Sequence, residues 1–428
     1  MKHSVEEVVL TNGMRGLLVD VPDATVMSFR FHLRAGDYFA PIDQYESAHI
    51  MEHMVLGANE RFRTSRKFNA EFQKNGAYNN AMTGYVSMYY VAECADFEWE
   101  RILELLVLSI SKPYFTQEEF KAEYGNVHEE LTGFLNNHNR VLFSELNKAF
   151  DPTGRLKTDA DRLELMKNVD TAAVKTHYKK THRSDNFRFV IAGNMKGRRK
   201  QIERLLESAD LERGERFAFP GDTIRSLDSA LYVERKEVKN LSFDLSTFKM
   251  ERISEEEQYA LHLVDTMLTA TLHSLILGEA RERGLAYYVW STFDMGSNNT
   301  SWDFGAEVSK KNIEQLFDIM TFQLRKILDG DIDKDDIEMA KQYRLGAFQM
   351  GAQTVGSFVR SYGSRYFYDE TITDYDNIPD HIKAVTKTQM VKVVQEMFED
   401  DVWGLGVLGS CGTEYAEKLR EKLQILWR

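Results

Sequence analysis

Cysteine is nearly missing: Cys94 and Cys411 are the only two in 428 residues. A disulfide framework is thereby excluded, and no cysteine pair has the spacing of a structural zinc site. A reducing, cytoplasmic setting is expected. The start of the chain, MKHSVEEVVL, lacks an apolar core segment and a small-residue cleavage site, so no signal peptide is expected. Long apolar runs are missing as well. The longest, Leu103 to Ile110, contains Glu104 and is far shorter than the roughly 20 residues of a membrane helix, so no membrane association is expected. Excess positive charge is also lacking. A formal net charge of −13 makes nucleic acid and anionic lipid unexpected partners. It suits solubility, and more sharply an acidic interior that favours basic peptides.

What is present suffices for substantial cores: 43% apolar and 12% aromatic residues. The chain also reads as built twice. Asp170 caps a helix through Val174 and Tyr178, followed by a strand, Phe187 to Gly193, and a helix from Lys200 to Glu207. Thr386 opens a helix through Val391 and Val394, followed by a strand, Val402 to Gly409, and a helix from Glu414 to Leu423. Asp170 to Thr386 and Gly193 to Gly409 are both 216 positions, which predicts two similar domains. The polar, aperiodic stretch 208–228 separates them, giving domains at 1–215 and 222–428.

Within the first half, residues 6–38 predict antiparallel strands that turn at Asn12-Gly13. Residues 44–56 predict a helix, Thr64 caps another, and Asn75-Gly76 turns the chain toward a strand at 85–92. Residues 97–111 are an amphipathic helix. Thr116 and Glu119 form a capping-box pattern at the head of one long helix over 116–149. The second half repeats the pattern, with strands at 286–291 and 302–308. The expected fold class is α+β: an antiparallel sheet with helices on one side, used twice.

The chemistry is concentrated in His49-Ile50-Met51-Glu52-His53. Histidines four apart share a helix face, so both imidazoles can hold one metal ion. Glu52 projects from the same turn and can act as a base toward water. This is the inverted zinc-hydrolase pattern H-x-x-E-H. A catalytic zinc takes three protein ligands and keeps one position open. The third should come from another helix. Glu123 and Glu130 are two turns apart and share a face, whereas Glu129 points about 100° away. Periodicity alone leaves Glu123 and Glu130 both open.

Ser47-Ala48-His49-Ile50-Met51-Glu52-His53-Met54 resembles the active-site helix of the M16 metallopeptidases, the family of pitrilysin and the mitochondrial processing peptidase. The resemblance implies the two-domain fold of the LuxS/MPP-like metallohydrolases. It implies Zn2+ as cofactor and Glu130 as third ligand, with Glu123 holding a histidine or the water. It implies that Asn80 and Ala81, in Tyr78-Asn79-Asn80-Ala81-Met82-Thr83, lie on a strand edge that pairs with an extended peptide. In the second half, Arg281 and Tyr287, in Ala280-Arg281-Glu282-Arg283-Gly284-Leu285-Ala286-Tyr287-Tyr288, resemble a substrate-binding pair that reaches the scissile carbonyl. The usual interval of seven between arginine and tyrosine is broken here. Tyr287 follows Gly-Leu-Ala directly and is favoured; Tyr288 stays open. The activity implied is a zinc endopeptidase acting on peptides or unfolded segments within a clam-shaped chamber. The partner implied is a second copy of this chain, or a related subunit. The alternatives are a non-catalytic partner subunit and a zinc hydrolase with a non-peptide substrate.

Overall fold

A computed structural model describes residues 2–427. The first half runs β1 (Ser4–Val9), β2 (Arg15–Asp20), β3 (Val26–Leu33), α1 (Ser47–Val55), α2 (Ser65–Gln73), β4 (Tyr78–Thr83), β5 (Met88–Ala95), α3 (Trp99–Ser111), α4 (Gln117–Phe134), α5 (His138–Phe150), α6 (Asp159–Leu165), α7 (Thr171–Thr181), β6 (Arg188–Gly193) and α8 (Arg199–Glu207). The second runs β7 (Leu231–Glu234), β8 (Asn240–Lys249), α9 (Glu255–Thr269), α10 (Leu277–Glu282), β9 (Ala286–Met295), β10 (Thr300–Ser309), α11 (Ile313–Leu328), α12 (Lys334–Gly351), α13 (Val355–Asp369), α14 (Ile378–Ala384), α15 (Lys387–Met397), β11 (Val402–Gly409) and α16 (Thr413–Leu423). Among the described residues no helix is long and apolar enough to cross a membrane.

Two sheets result, ordered β1-β2-β6-β3-β5-β4 and β7-β11-β8-β10-β9. Apart from β1 the orders correspond strand for strand. Each sheet is antiparallel except for one parallel pair, β2 with β6 and β11 with β7. The late strand of each half is threaded into the middle of its sheet and is almost wholly buried. Both late strands end in a glycine at the same unusual backbone angle, φ +146° at Gly193 and +145° at Gly409. A side chain there would strike Met27 and Leu241 respectively, so glycine is required twice for one reason.

The chain forms two compact units. One comprises residues up to Thr132, Ala160–Phe219 and Gln349–Asp374; the other comprises Gly133–Asp159, Pro220–Phe348 and Tyr375 onward. The units therefore cross the sequence boundary at 215–222 twice. The second contains α5 from the first half, and the first contains α13 from the second half.

This exchange changes the expected layering. In the first unit, alternation along β3 sends Met27, Phe29, Phe31 and Leu33 into the core, while Arg30 and His32 point to the opposite face. There α13 lies over them, with Gly363 close against His32 and Gly356 against Glu93. In the second unit α5 covers the corresponding face. A β-carbon on Gly406 would meet Leu142 Cδ1 at 2.9 Å, and Phe150 packs edge-on against Phe248 at 4.9 Å. Both sheets are thus covered on two faces, not one.

The predicted long helix over 116–149 is two helices. Asn137 accepts a hydrogen bond from Arg140 N at 3.1 Å and starts α5 afresh. Only half of the expected capping box forms at α4. Thr116 Oγ1 accepts from Glu119 N at 3.2 Å, but the Glu119 carboxylate turns to Ser65 Oγ. Thr64, Asp170 and Thr386 cap their helices as expected.

Candidate metal centre

The centre is built on α1, which is short and unusually buried. Ile50, Met51 and Val55 are fully enclosed, and His49 and Glu52 are only 7% and 8% exposed. A helix sunk this deeply carries histidines and a glutamate only if their polar atoms are matched. They are. His49 and His53 meet edge to face with ring centroids 5.0 Å apart, and their Nε2 atoms converge on Glu130 Oε2 at 3.6 and 3.5 Å. One donor atom from each of His49, His53 and Glu130 lies within 4.8 Å of the others, the one such group of three among the described residues. The helix α4 brings Glu130 there by burying Phe120, Val127 and Leu131. Glu129 points away, with its side chain 84% exposed.

Each histidine is gripped from behind. His53 Nδ1 meets Glu123 Oε2 at 3.3 Å. His49 Nδ1 meets Glu46 Oε2 at 3.1 Å. Glu46, fully buried, is clamped in turn by Arg162, Nε to Oε1 2.5 Å and Nη2 to Oε2 3.1 Å. Carboxylates behind both rings fix the imidazole orientation and raise its basicity. Sequence reading missed Glu46 and Arg162. Glu46 precedes His49 by three on the same helix face, a local signal; Arg162 is 116 residues away and had none. It also missed Thr83, whose Oγ1 donates to Glu52 Oε2 at 2.7 Å.

The electrostatics follow from this crowding. Burial alone would lower the histidines. Glu130 and then Glu46 hold His49 up to about 9, and Glu123 and then Glu130 hold His53 up to about 10. Glu130 is driven far below the carboxylate range by its hydrogen bonds to both rings. Burial pushes Glu52 up against the opposing pull of His49 and Thr83. Buried Asp37, close to Arg162 and Glu46, is also raised by burial. Two imidazoles and one carboxylate that share two protons form a donor set a divalent cation can take over by displacing those protons. The donor chemistry, nitrogen, nitrogen and oxygen, suits zinc.

Beside the cluster, β4 is the edge strand of its sheet and, among the described residues, pairs only with β5. A hollow of about 480 Å³ is lined by Glu52, His53, Asn79, Asn80, Ala81 and Glu123, among others. The first unit thus brings together His49, Glu52, His53, Asn80, Ala81, Glu123 and Glu130. Arg281 and Tyr287 belong to the second unit and are joined to each other. Arg281 Nη1 donates to Tyr287 O at 2.7 Å, and its guanidinium lies 4.6 Å over the Tyr287 ring. Tyr287 is 82% exposed and Tyr288 57%. Here β9 bulges: Ala286 pairs with Val308 and Val289 with Ala306, so both tyrosines face the single residue Glu307. An inserted residue of this kind re-aims side chains, which is why residue counting alone left two tyrosines open.

Comparison with known proteins places this geometry. A family model described as Insulinase (Peptidase family M16) matches residues 17–159, and one described as Peptidase M16 inactive domain matches residues 168–343. The chain is 21% identical over 270 residues to a probable mitochondrial-processing peptidase subunit beta of Arabidopsis thaliana, covering 60% of this chain and 49% of that protein. It is 22% identical over 275 residues to the peroxisomal insulin-degrading enzyme-like 1 of the same plant, covering 60% of this chain and 28% of that protein. The chain spans about half or less of the length of these relatives. A protease from Helicobacter pylori shares the fold at a TM-score of 0.83 and 16% identity, over 95% of this chain and 100% of that one. A peptidase M16 inactive domain from Pseudomonas fluorescens does so at 0.83 and 16%, over 96% and 98%.

Proposed function

Because the chain belongs to the M16 peptidase family, we propose that it is a zinc-dependent endopeptidase in which His49, His53 and Glu130 hold the metal. The observation that carries this reading is the convergence of three donor atoms within 4.8 Å, with Glu52 buried beside them. Zinc bound there would act as a Lewis acid toward a water and a peptide carbonyl.

The chain's own residues do the rest. Glu52, raised by burial toward the range useful for a base, takes the attacking water's proton and returns it to the leaving amine. Thr83 fixes which Glu52 oxygen is free. Glu123 and Glu46 keep the two rings turned so that both Nε2 atoms face the metal position. The open edge of β4, with Asn80 and Ala81, receives an extended peptide through main-chain hydrogen bonds, which favours conformation over sequence. Arg281 and Tyr287 offer a guanidinium and a phenol for the scissile carbonyl oxygen. Their supply to the site by a second copy of this chain, across a closed chamber, is part of the proposal. Two free cysteines suit a reducing compartment such as the cytoplasm.

The test is cleavage of a mixed peptide library, read by mass spectrometry, with zinc content measured on wild type and Glu52→Gln. Products from wild type alone, with about one zinc per chain in both, support the reading. Cleavage by Glu52→Gln overturns the base assignment. Absence of zinc from the wild type turns the reading to a structural partner subunit. Mixing Glu52→Gln with Arg281→Ala chains tests the shared site: recovered activity requires exchange of residues between copies.

A further inference from the structure

The second unit contains a hollow at the place where the first unit has its metal centre. It lies between α9 and α12 and is closed by α14, with a volume of about 320 Å³. Correspondence of the helices is direct. Both α4 and α12 have 18 residues. Counting from Gln117, Glu130 is the fourteenth; counting from Lys334, the fourteenth is Ala347. Glu123 is the seventh of α4, and the seventh of α12 is Ala340. On α9, the residue four after His262 is Thr266, so no second imidazole shares its face. Both glutamates on one helix are replaced by methyl groups; Ala347 lines the open hollow, and Ala340 is packed into the core.

What replaces them is a single cation. Arg344 lines the hollow, and among the described residues it makes no hydrogen bond or ion pair. Burial weakens its hold on its proton, opposed by the charge of Asp265. That carboxylate's Oδ1 is already taken by Ser291 Oγ and Trp302 Nε1. His262 also lines the hollow. It packs on Phe293 at 4.5 Å, its ring nitrogens have no hydrogen-bond partner among the described residues, and burial followed by the charge of Arg344 takes it down to about 3. It is thus neutral at ordinary pH and able to donate one N–H. The remaining walls are apolar or aromatic: Tyr259, Phe348, Ile378 and Ile382.

Arg344 feels the charge of Asp265 but makes no hydrogen bond to it. A partly desolvated guanidinium whose N–H groups are unmatched is costly and offers a two-pronged donor shaped for a carboxylate. A volume near 300 Å³ suits a group the size of one large amino acid. We propose that this hollow is a binding site for a carboxylate carried on an apolar or aromatic group, with Arg344 as the anion receiver, His262 as a second donor, and Tyr259, Phe348 and the isoleucines around the apolar part. A free small acid and the C-terminus of a peptide whose last residue is hydrophobic both carry this chemistry. The proposal is independent of the zinc reading.

The test is binding to the full chain, by ligand-observed NMR and calorimetry, of N-acetyl-phenylalanine and its amide. The same pair of ends is then tried on a ten-residue peptide ending in phenylalanine, in the Glu52→Gln background. The acid should bind at least about tenfold more tightly than the amide, since only the acid pairs with the guanidinium. Arg344→Met should remove that preference with little change in melting temperature, because Arg344 makes no hydrogen bond that would be lost and Asp265 keeps those to Ser291 and Trp302. Ala347→Trp, which fills the hollow, should abolish binding of both acids. Tighter binding of the peptide acid identifies a peptide C-terminus as the source; binding of the small acid alone identifies a free acid. Equal binding of acid and amide, or an acid preference that survives both substitutions, overturns the proposal. If Arg344→Met melts early, Ala347→Trp carries the decision.

Discussion

The two units set the same helix pair to different uses. In the first, α1 and α4 face each other with two imidazoles and two carboxylates, and every ring nitrogen meets a carboxylate oxygen. In the second, α9 and α12 face each other with alanines where α4 has its glutamates, one unpaired guanidinium and one neutral imidazole. A scaffold of this kind holds its helices by apolar faces, so the residues pointing into the gap are free to change. Function resides in those few positions and not in the fold. The largest prediction tests this directly. His49→Ala or Glu130→Ala should remove stoichiometric zinc and lower peptide cleavage by about a thousandfold or more, as read by metal analysis and product formation. Arg344→Met should leave zinc content unchanged. Loss of zinc on changing Arg344 would mean that the two gaps are not independent.

The next effect concerns the support behind the gap. Glu46 and Arg162 form a closed ion pair with side chains 0% and 14% exposed. Removing one member of such a pair leaves a buried charge and costs about 3–5 kcal/mol. Arg162→Met should therefore lower the unfolding free energy by that order in a denaturant titration. It should also weaken zinc binding about 10- to 100-fold, because His49 loses its fixed carboxylate. The second unit has nothing comparable behind His262, so His262→Gln should leave stability nearly unchanged. A large loss there would break the contrast.

How much of this could be read from residues alone follows the range of each interaction. The His49/His53 pair and the Glu123/Glu130 face are helix periodicity, a local property, and the structure assembles them. The strand-ending glycines 193 and 409 are also local, and the 216-residue repeat carries through to matching sheet orders. Glu46 with Arg162 depends on packing between distant segments, and nothing in either neighbourhood announces it. The exchange of α5 and α13 is of the same kind: a helix's apolar face does not say which sheet it will cover. Glu119 shows the competition in miniature, since its capping role was sound locally and Ser65 drew the carboxylate away.

The covered faces of the two sheets give a second contrast. Beneath α13 the first unit buries His32 and Arg188, with Arg30 half-buried beside them; beneath α5 the second buries Asp244 and Asp303. Burial, then the nearby Arg30 and Arg216, takes His32 far down, while burial raises Asp303 to about 6. A carboxyl whose folded pKa lies above its unfolded value of about 3.9 keeps its proton better when folded. Its contribution is complete below the unfolded value and is lost as pH rises through about 6. Asp303→Asn should thus flatten the fall in unfolding free energy between pH 4 and 6, by up to about 3 kcal/mol across the range. Identical slopes in wild type and variant would show that Asp303 is charged in the folded chain.

The smallest effect separates what the two long helices need from what they merely tolerate. Gly125 on α4 and Gly346 on α12 are exposed, and a β-carbon on either would meet nothing within 4 Å. Neither has a positive φ, so alanine adds helix propensity without strain, about 0.5–1 kcal/mol each. Gly346→Ala should raise the melting temperature and leave peptide cleavage alone. Gly125 lies between Glu123 and Glu130, so its substitution reports on the metal centre as well. If α4 needs only to hold those two carboxylates still, Gly125→Ala should stabilise the chain and keep full activity. If cleavage falls while zinc and stability rise, α4 must flex during turnover, and the glycine is retained for that motion.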